Sequence, residues 1–435
     1  MSVAARGGLE CRTYKIARTL VSLSPRRLVA TAAAVAALIV ASTGVSAVGL
    51  PPSTWVALAT LPGLDRAPVF GLAVNPTNDQ DVIAANGKGG IYRSVDGGTK
   101  WTTAHTGKAS VLTIAYSPFN PALILAGMHG SGVLVSTNGG SAWRAATGID
   151  GRDVRAFGFA RSTIVAATDH GVYASSDGIT WTPSGLTDTS IDAIAVAAVN
   201  APVRLFAGGD AGTGAALPLF QSQDGGTTWT PMNPPISGAI VTRLAAGPLP
   251  PNSDVRPLVV GTNAGLFASA DNGATFTPLS GGLLLPSTDY TQIGFTATHF
   301  ARFFAASDGG GGQSGGLWST ADSGRHFSSL QPPLLSVTAL AVSSDEQPVL
   351  FVATFRSIDE TPMLWAYHDT GGTPQGPAPT STPSASGART NSSSGSILDF
   401  LKAMASSQVP YIALGVGALA LIGLAIVSHF RSRRR

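Results

Sequence analysis

The stretch "SVDGGTKW", Ser94 to Trp101, has the composition of a tight hairpin turn, and nearly the same phrase returns five times. The returns are "STNGGSAW" (Ser136 to Trp143), "SSDGITW" (Ser175 to Trp181), "SQDGGTTW" (Ser222 to Trp229), "SADNGATF" (Ser269 to Phe276) and "TADSGRHF" (Thr320 to Phe327). A hydroxyl residue is followed two positions on by an acid or amide: Asp96, Asn138, Asp177, Asp224, Asp271 and Asp322. Glycine usually stands at plus four, and an aromatic closes the phrase at Trp101, Trp143, Trp181, Trp229, Phe276 and Phe327. The third copy is one residue short. A carboxylate or amide here accepts hydrogen bonds from backbone N–H groups just ahead of it, and glycine supplies the positive φ. The phrase specifies a turn, and its residues are expected to be structural.

The acid or amide positions are separated by 42, 39, 47, 47 and 51 residues. Another 47 residues on, "AYHDTGGTP" keeps Asp369 and Gly371 but has no aromatic after them. The missing half of this seventh copy stands at the other end, in "STWVALATLPG" (Ser53 to Gly63), with Trp55 in the aromatic slot. Within each unit four short apolar strands alternate with turn residues, as in "SVLTIAYSPFNP", "ALILAGMHG", "GVLVSTNGG" and "WRAATGID". Seven units of about 45 residues with four strands each predict an all-β, seven-bladed β-propeller over residues 51–372. The split unit fits a ring whose last blade is completed by the first strand, which removes a sheet edge.

The flanks differ from the middle. Residues 1–27 carry Arg6, Arg12, Lys15, Arg18, Arg26 and Arg27 against Glu10, and the chain ends in "RSRRR". Between Pro51 and Thr373 there are 15 basic and 22 acidic residues, a net of −7, so nucleic-acid binding is not expected. Two uncharged stretches, residues 28–47 and 409–428, are each 20 residues long, enough at ~1.5 Å per residue to cross a bilayer. The first is read as a signal peptide ending at Ala47 or an uncleaved signal anchor, the second as a transmembrane helix. Flanking basic residues place both tails (1–27 and 429–435) in the cytoplasm and the propeller outside it, at the cell membrane. Residues 373–396, rich in Pro, Ser, Thr and Gly, read as an extended disordered stalk, followed by a juxtamembrane segment at 397–408. The single Cys11 excludes an intrachain disulfide, and the excess of Arg (22) over Lys (5) points to a GC-rich bacterial genome.

The repeated S-x-D-x-G-x-x-W phrase resembles the Asp-box, or BNR, repeat of sialidases, sortilin-type receptors and bacterial xyloglucanases. It also resembles that of photosystem II stability and assembly factors and their bacterial relatives. The likeness covers about three quarters of the chain and implies the fold rather than one activity. It also implies that the repeated turns lie on the face opposite the ligand sites. The working face is then built from the loops entering each unit and those between its second and third strands. Arg66, Lys88, Arg152, Asp153, Arg155, Tyr290 and Arg356 gather there as candidate binding residues, with Asp65, Asp289, Asp359 and Glu360 beside them.

Catalysis has little support in the sequence. Sialidases need three arginines, a Tyr activated by Glu, and an acidic Asp, and hydrolysis otherwise needs a carboxylate pair in a cleft. Glu346 and Glu360 are the only glutamates of the domain, and both fall in the seventh unit. His129 and His170 occupy equivalent loops of adjacent units but lack a third ligand, and "NPTNDQD" (Asn75 to Asp81) reads first as a turn. No cofactor, catalytic residue or metal is expected. The expectation is a monomeric, membrane-anchored propeller that binds a protein or protein complex, as scaffold or assembly factor. Glycan binding or glycoside hydrolysis is the alternative.

Overall fold

The computed structural model describes residues 49–371 except 64–65, 211–216, 237, 282–288 and 311–312. The expected signal segment, stalk, juxtamembrane segment, transmembrane helix and basic tails all lie outside the described residues, as does Asp65. Among the described residues no helix is long and apolar enough to cross a membrane.

Seven antiparallel sheets of four strands follow one another along the chain. Blade one consists of Val69–Asn75, Asn78–Asn86, Gly90–Ser94 and Thr102–Thr106. The first strands of successive blades pack side by side, and that of blade seven (Val337–Val342) packs against that of blade one, so the array closes into a ring. The first strands are innermost. Blade seven takes its fourth strand, Trp55–Ala57, from the start of the described chain; it pairs with Thr361–His368 through Trp55 opposite Tyr367 and Ala57 opposite Trp365.

The core is divided among seven apolar clusters, each pressed between two neighbouring sheets. This explains why the inner strands lack a polar face. In the second strand of blade one, Val82 and Ala84 enter the cluster shared with blade seven. Ile83 and Ala85, pointing the other way, enter the cluster shared with blade two. Alternation persists, but both sides are dry. Outermost strands are short and exposed, down to the two residues Arg144–Ala145 in blade two, which blunts the seven outer edges.

The repeated turns share one hydrogen-bond pattern. The Ser or Thr hydroxyl donates to the Asp or Asn Oδ1 two residues on at 2.8–3.0 Å. It also accepts from the N–H of the following glycine at 2.8–2.9 Å. The same Oδ1 accepts a second backbone N–H, from Lys100, Ala142, Thr180, Thr228, Thr275 and His326, at 2.9–3.0 Å. Those glycines hold φ between 75° and 98°, where an L side chain is strained. A Cβ on Gly98 would also meet Leu58 at 2.7 Å. Trp143, Trp181 and Trp229 then donate their indole N–H back to the carbonyl of that glycine at 3.0–3.1 Å, tying the turn to the next strand.

These carboxylates make the turns acid-sensitive. The Thr228 hydroxyl and backbone N–H hold Asp224 down to about 2. The His326 ring and backbone N–H do the same for Asp322, also to about 2. A folded value below the unfolded one contributes stability above about pH 4 that is lost as pH falls towards 2. Asn138 cannot titrate. Hydrogen-exchange protection at the Thr228 and His326 amides is therefore expected to fall between about pH 4 and 2, while that at Ala142 stays level. Equal loss at all three amides would remove the carboxylates as the cause.

Candidate functional site

Strand direction alternates within each blade, so the two faces of the disc have different origins. The repeated turns, joining third to fourth strands, share one face with the loops joining first to second strands. This turn face is stitched together by bonds such as Gly97 N–H to the Gln80 carbonyl at 2.9 Å. The opposite face holds the loops that lead into each blade and those between second and third strands. The described chain begins and ends on the turn face, where Ser53 N–H donates to the His368 carbonyl at 2.9 Å.

Every first strand slips register by one residue just after it enters from the opposite face. The extra residues are Phe70, Leu112, Arg155, Asp192, Thr242, Thr291 and Thr338, one per blade in ring order. A bulge leaves its residue unpaired in the ladder and re-aims the side chain. Three of the re-aimed side chains bond to the next blade. Thr338 Oγ1 donates to the Val69 carbonyl at 2.7 Å and Thr291 Oγ1 to the Val337 carbonyl at 2.9 Å. Arg155 donates to Ser190 Oγ at 2.6 Å and to the Asp192 carboxylate.

Charge gathers near the bulged ends of blades three to six, on the bulge itself in blades three and four. Arg155 pairs with Asp192 and sits 3.6 Å from Asp153, which binds the His129 ring at 2.8 Å. Arg243, next to the bulged Thr242, donates to the Thr291 carbonyl and to the Thr242 carbonyl at 2.9 Å. Burial pushes the Arg243 guanidinium down, and the nearby carboxylates of Asp192 and Asp308 push it back up. Burial raises Asp192, against the pull of Arg155 and Arg243. Partial desolvation of the carboxyl, then Asp289, raises Asp308, against a backbone N–H and Arg243, while the residue as a whole stays exposed. An arc of alternating sign, Arg155–Asp192–Arg243–Asp308, thus runs across blades three to six on the face opposite the repeated turns. The raised carboxyl of half-buried Asp192 binds a proton more tightly folded than unfolded, so it adds stability as pH falls, the reverse of the turn carboxylates.

The sequence-predicted residues divide. Asp153 and Arg155 come together with the arc. Arg152 directly precedes Asp153 and is half-buried, and its backbone carbonyl accepts from Gly132 N–H of blade two at 2.9 Å. Lys88 is exposed on blade one, in a turn held by Asn86 Oδ1, which accepts the Lys88 N–H at 3.1 Å. Arg66 is exposed in the loop leading into blade one. Arg356 is also exposed and forks onto Asp359 at 2.6 and 2.8 Å on blade seven, next in ring order after blade six. Tyr290 corrects the sequence reading. It is 1% exposed and packs edge-on to Trp318 at 6.2 Å, because it occupies the inward slot taken by Val or Ile in the other blades. It is a core residue and offers no surface to a ligand.

Asp192, Arg243 and Asp308 are absent from the sequence-derived set. The signal for two of them is a charge inside an otherwise apolar strand, "SIDAIAV" and "VTRLAA", visible once the seven first strands are aligned. Among the described residues no group of three His, Cys, Asp or Glu side chains gathers as a metal site. His129 and His170 pair with different aspartates, Asp153 and Asp169, at 2.8 and 2.9 Å.

The WD40 β-propeller domain of Doa1 aligns with 73% of this chain and 98% of its own length, at 12% identity and a TM-score of 0.54. The chain is a seven-bladed β-propeller. YCF48, solved bound to a D1 peptide, aligns with 73% of the propeller-bearing chain and 97% of its own, at 14% identity and a TM-score of 0.48. An ancestral GH74 enzyme aligns with 68% of the chain at 18% identity and a TM-score of 0.46, and the chain spans 40% of that enzyme's length. No protein-family profile matches the sequence, and no curated protein matches it. At these identities the likeness shows the fold alone.

Proposed function

We propose that this propeller is a non-enzymatic binding protein, held at the extracytoplasmic side of the cell membrane by its terminal segments, that grips a protein partner as scaffold or assembly factor. The observation that carries this is the mixed-charge arc, on the face free of repeated turns and of both ends of the described residues. An alternating row of charges favours complementary charges on a partner surface and sets register as well as affinity. The turn phrase, shared with Asp-box propellers, and the apolar stretches 28–47 and 409–428 support the rest. Glycan binding or glycoside hydrolysis has less support. Asp153 and Asp192 both face the one guanidinium of Arg155, and the aromatic proposed for that face, Tyr290, is buried.

The test is to tag the full chain in its host, crosslink intact cells, purify in mild detergent and identify what is attached. One recurrent protein complex is expected, reduced about tenfold by Arg152→Ala with Asp308→Asn, a loss of about 1.4 kcal/mol in binding. A preparation without a partner, or one that cleaves glycans, would overturn the reading.

A further inference from the structure

On the turn face, blades five and six are separated by a groove of about 650 Å³. Phe295, Phe300 and Phe303 line it from blade six, and Pro250, Pro257 and Leu279 from blade five. Its origin is local: residues 247–257, joining the first two strands of blade five, form the longest such loop of the seven and carry three prolines in "GPLPP". Phe300 is 38% exposed, and Leu249 beside Pro250 is 48% exposed. A trough of aromatic rings and prolines suits an extended, uncharged, proline-bearing strand, which stacks pyrrolidine rings on aromatic faces and is ordered at small entropic cost.

The chain itself carries such a sequence just beyond the described residues that lie near the groove. Gly371, the last described residue, lies against blade six: a Cβ placed on it would be 3.7 Å from the Arg302 guanidinium. Arg302 immediately precedes Phe303 and stands two residues from Phe300. The residues that follow Gly371 read Thr373-Pro374-Gln375-Gly376-Pro377-Ala378, an uncharged P-x-x-P sequence. At ~3.1 Å per residue six such residues reach about 19 Å, against roughly 10 Å for the width of one packed sheet. We infer that residues 373–378 cross blade six and seat Pro374 and Pro377 in the groove between blades five and six. The inference does not depend on the membrane reading. Its consequence is that the chain leaves the disc from a fixed point on the turn face rather than swinging from Gly371.

Disulfide trapping in the full chain tests this. In a Cys11→Ser background, Gly376→Cys is combined with Ser323→Cys, which lines the groove, or with Thr99→Cys, on the turn of blade one beyond the other side of blade seven. Seating is expected to form the 376–323 bond about tenfold faster than the 376–99 bond, as raised local concentration requires. Pro374→Ser with Pro377→Ser should abolish the difference. Equal rates for the two pairs, or a preference that survives the proline changes, would overturn the inference. So would a 376–323 bond that forms only between two molecules, which would assign the groove to a second copy.

Discussion

Replacing Trp55 by alanine is expected to lower the unfolding free energy by about 3–5 kcal/mol, the range for losing a fully buried tryptophan. The cost has three parts. Trp55 is fully buried, and its ring lies 4.8 Å from that of Tyr367. Its indole N–H donates to the Leu330 carbonyl at 2.8 Å, joining blade seven to the end of blade six. Its strand, only three residues long, is the sole cover for the open edge of Thr361–His368. Trp55→Phe keeps most of the packing but leaves the Leu330 carbonyl unpaired, and should cost about 1–2 kcal/mol. Equilibrium urea unfolding, followed by tryptophan-independent circular dichroism, is the measurement. A loss below about 1 kcal/mol for Trp55→Ala would mean that the ring does not depend on its closing strand.

Asp369→Ala is expected to cost about 3 kcal/mol, because it strands a charge. The Asp369 carboxylate is 2% exposed and accepts from the Arg302 guanidinium, which is 24% exposed and reaches across from blade six. Asp369 Oδ1 also accepts the Gly371 N–H at 3.0 Å, the remnant of the repeated turn in the blade that lacks its aromatic. Removing the carboxylate leaves a largely buried guanidinium, whose Nε already lacks a partner among the described residues. Asp369→Leu with Arg302→Met removes both charges and should recover most of the loss. If the double variant is as unstable as the single one, the damage comes from the turn rather than the stranded charge.

Both predictions concern the seam, and the seam was legible in the sequence. Six near-identical phrases gave the period, and the half-phrase at Asp369 together with Trp55 gave the closure, because turn chemistry is local and survives in one dimension. The third copy, one residue short, still closes its turn: Ile179 and Thr180 both donate to Asp177, at 2.8 and 3.0 Å. The binding face was legible only in part. Arg152, Asp153 and Arg155 stood out as charges in a loop, whereas Asp192 and Arg243 are strand residues, and strand charges are informative only when a bulge frees them. No motif marks the bulges: the residues at them run from Phe70 and Leu112 to Arg155, Asp192 and three threonines. Tyr290 misled for the converse reason. It follows directly on a polar loop, "PSTDY", yet pairs with Ser307 as the first residue of a strand and turns inward.

The two ends of the described residues meet on one face, at the same end of an antiparallel pair, and this fixes how the disc answers a pull. Tension applied through residues 52 and 368 acts at one end of the closing ladder and across it, as on a zip fastener. Its three cross-strand pairs, Trp55 with Tyr367, Val56 with Ala366 and Ala57 with Trp365, are then loaded in turn and never together. Blade seven should therefore yield first and at low force, with the other six blades still folded. Traction on the two ends would open the ring at its seam and spare the rest.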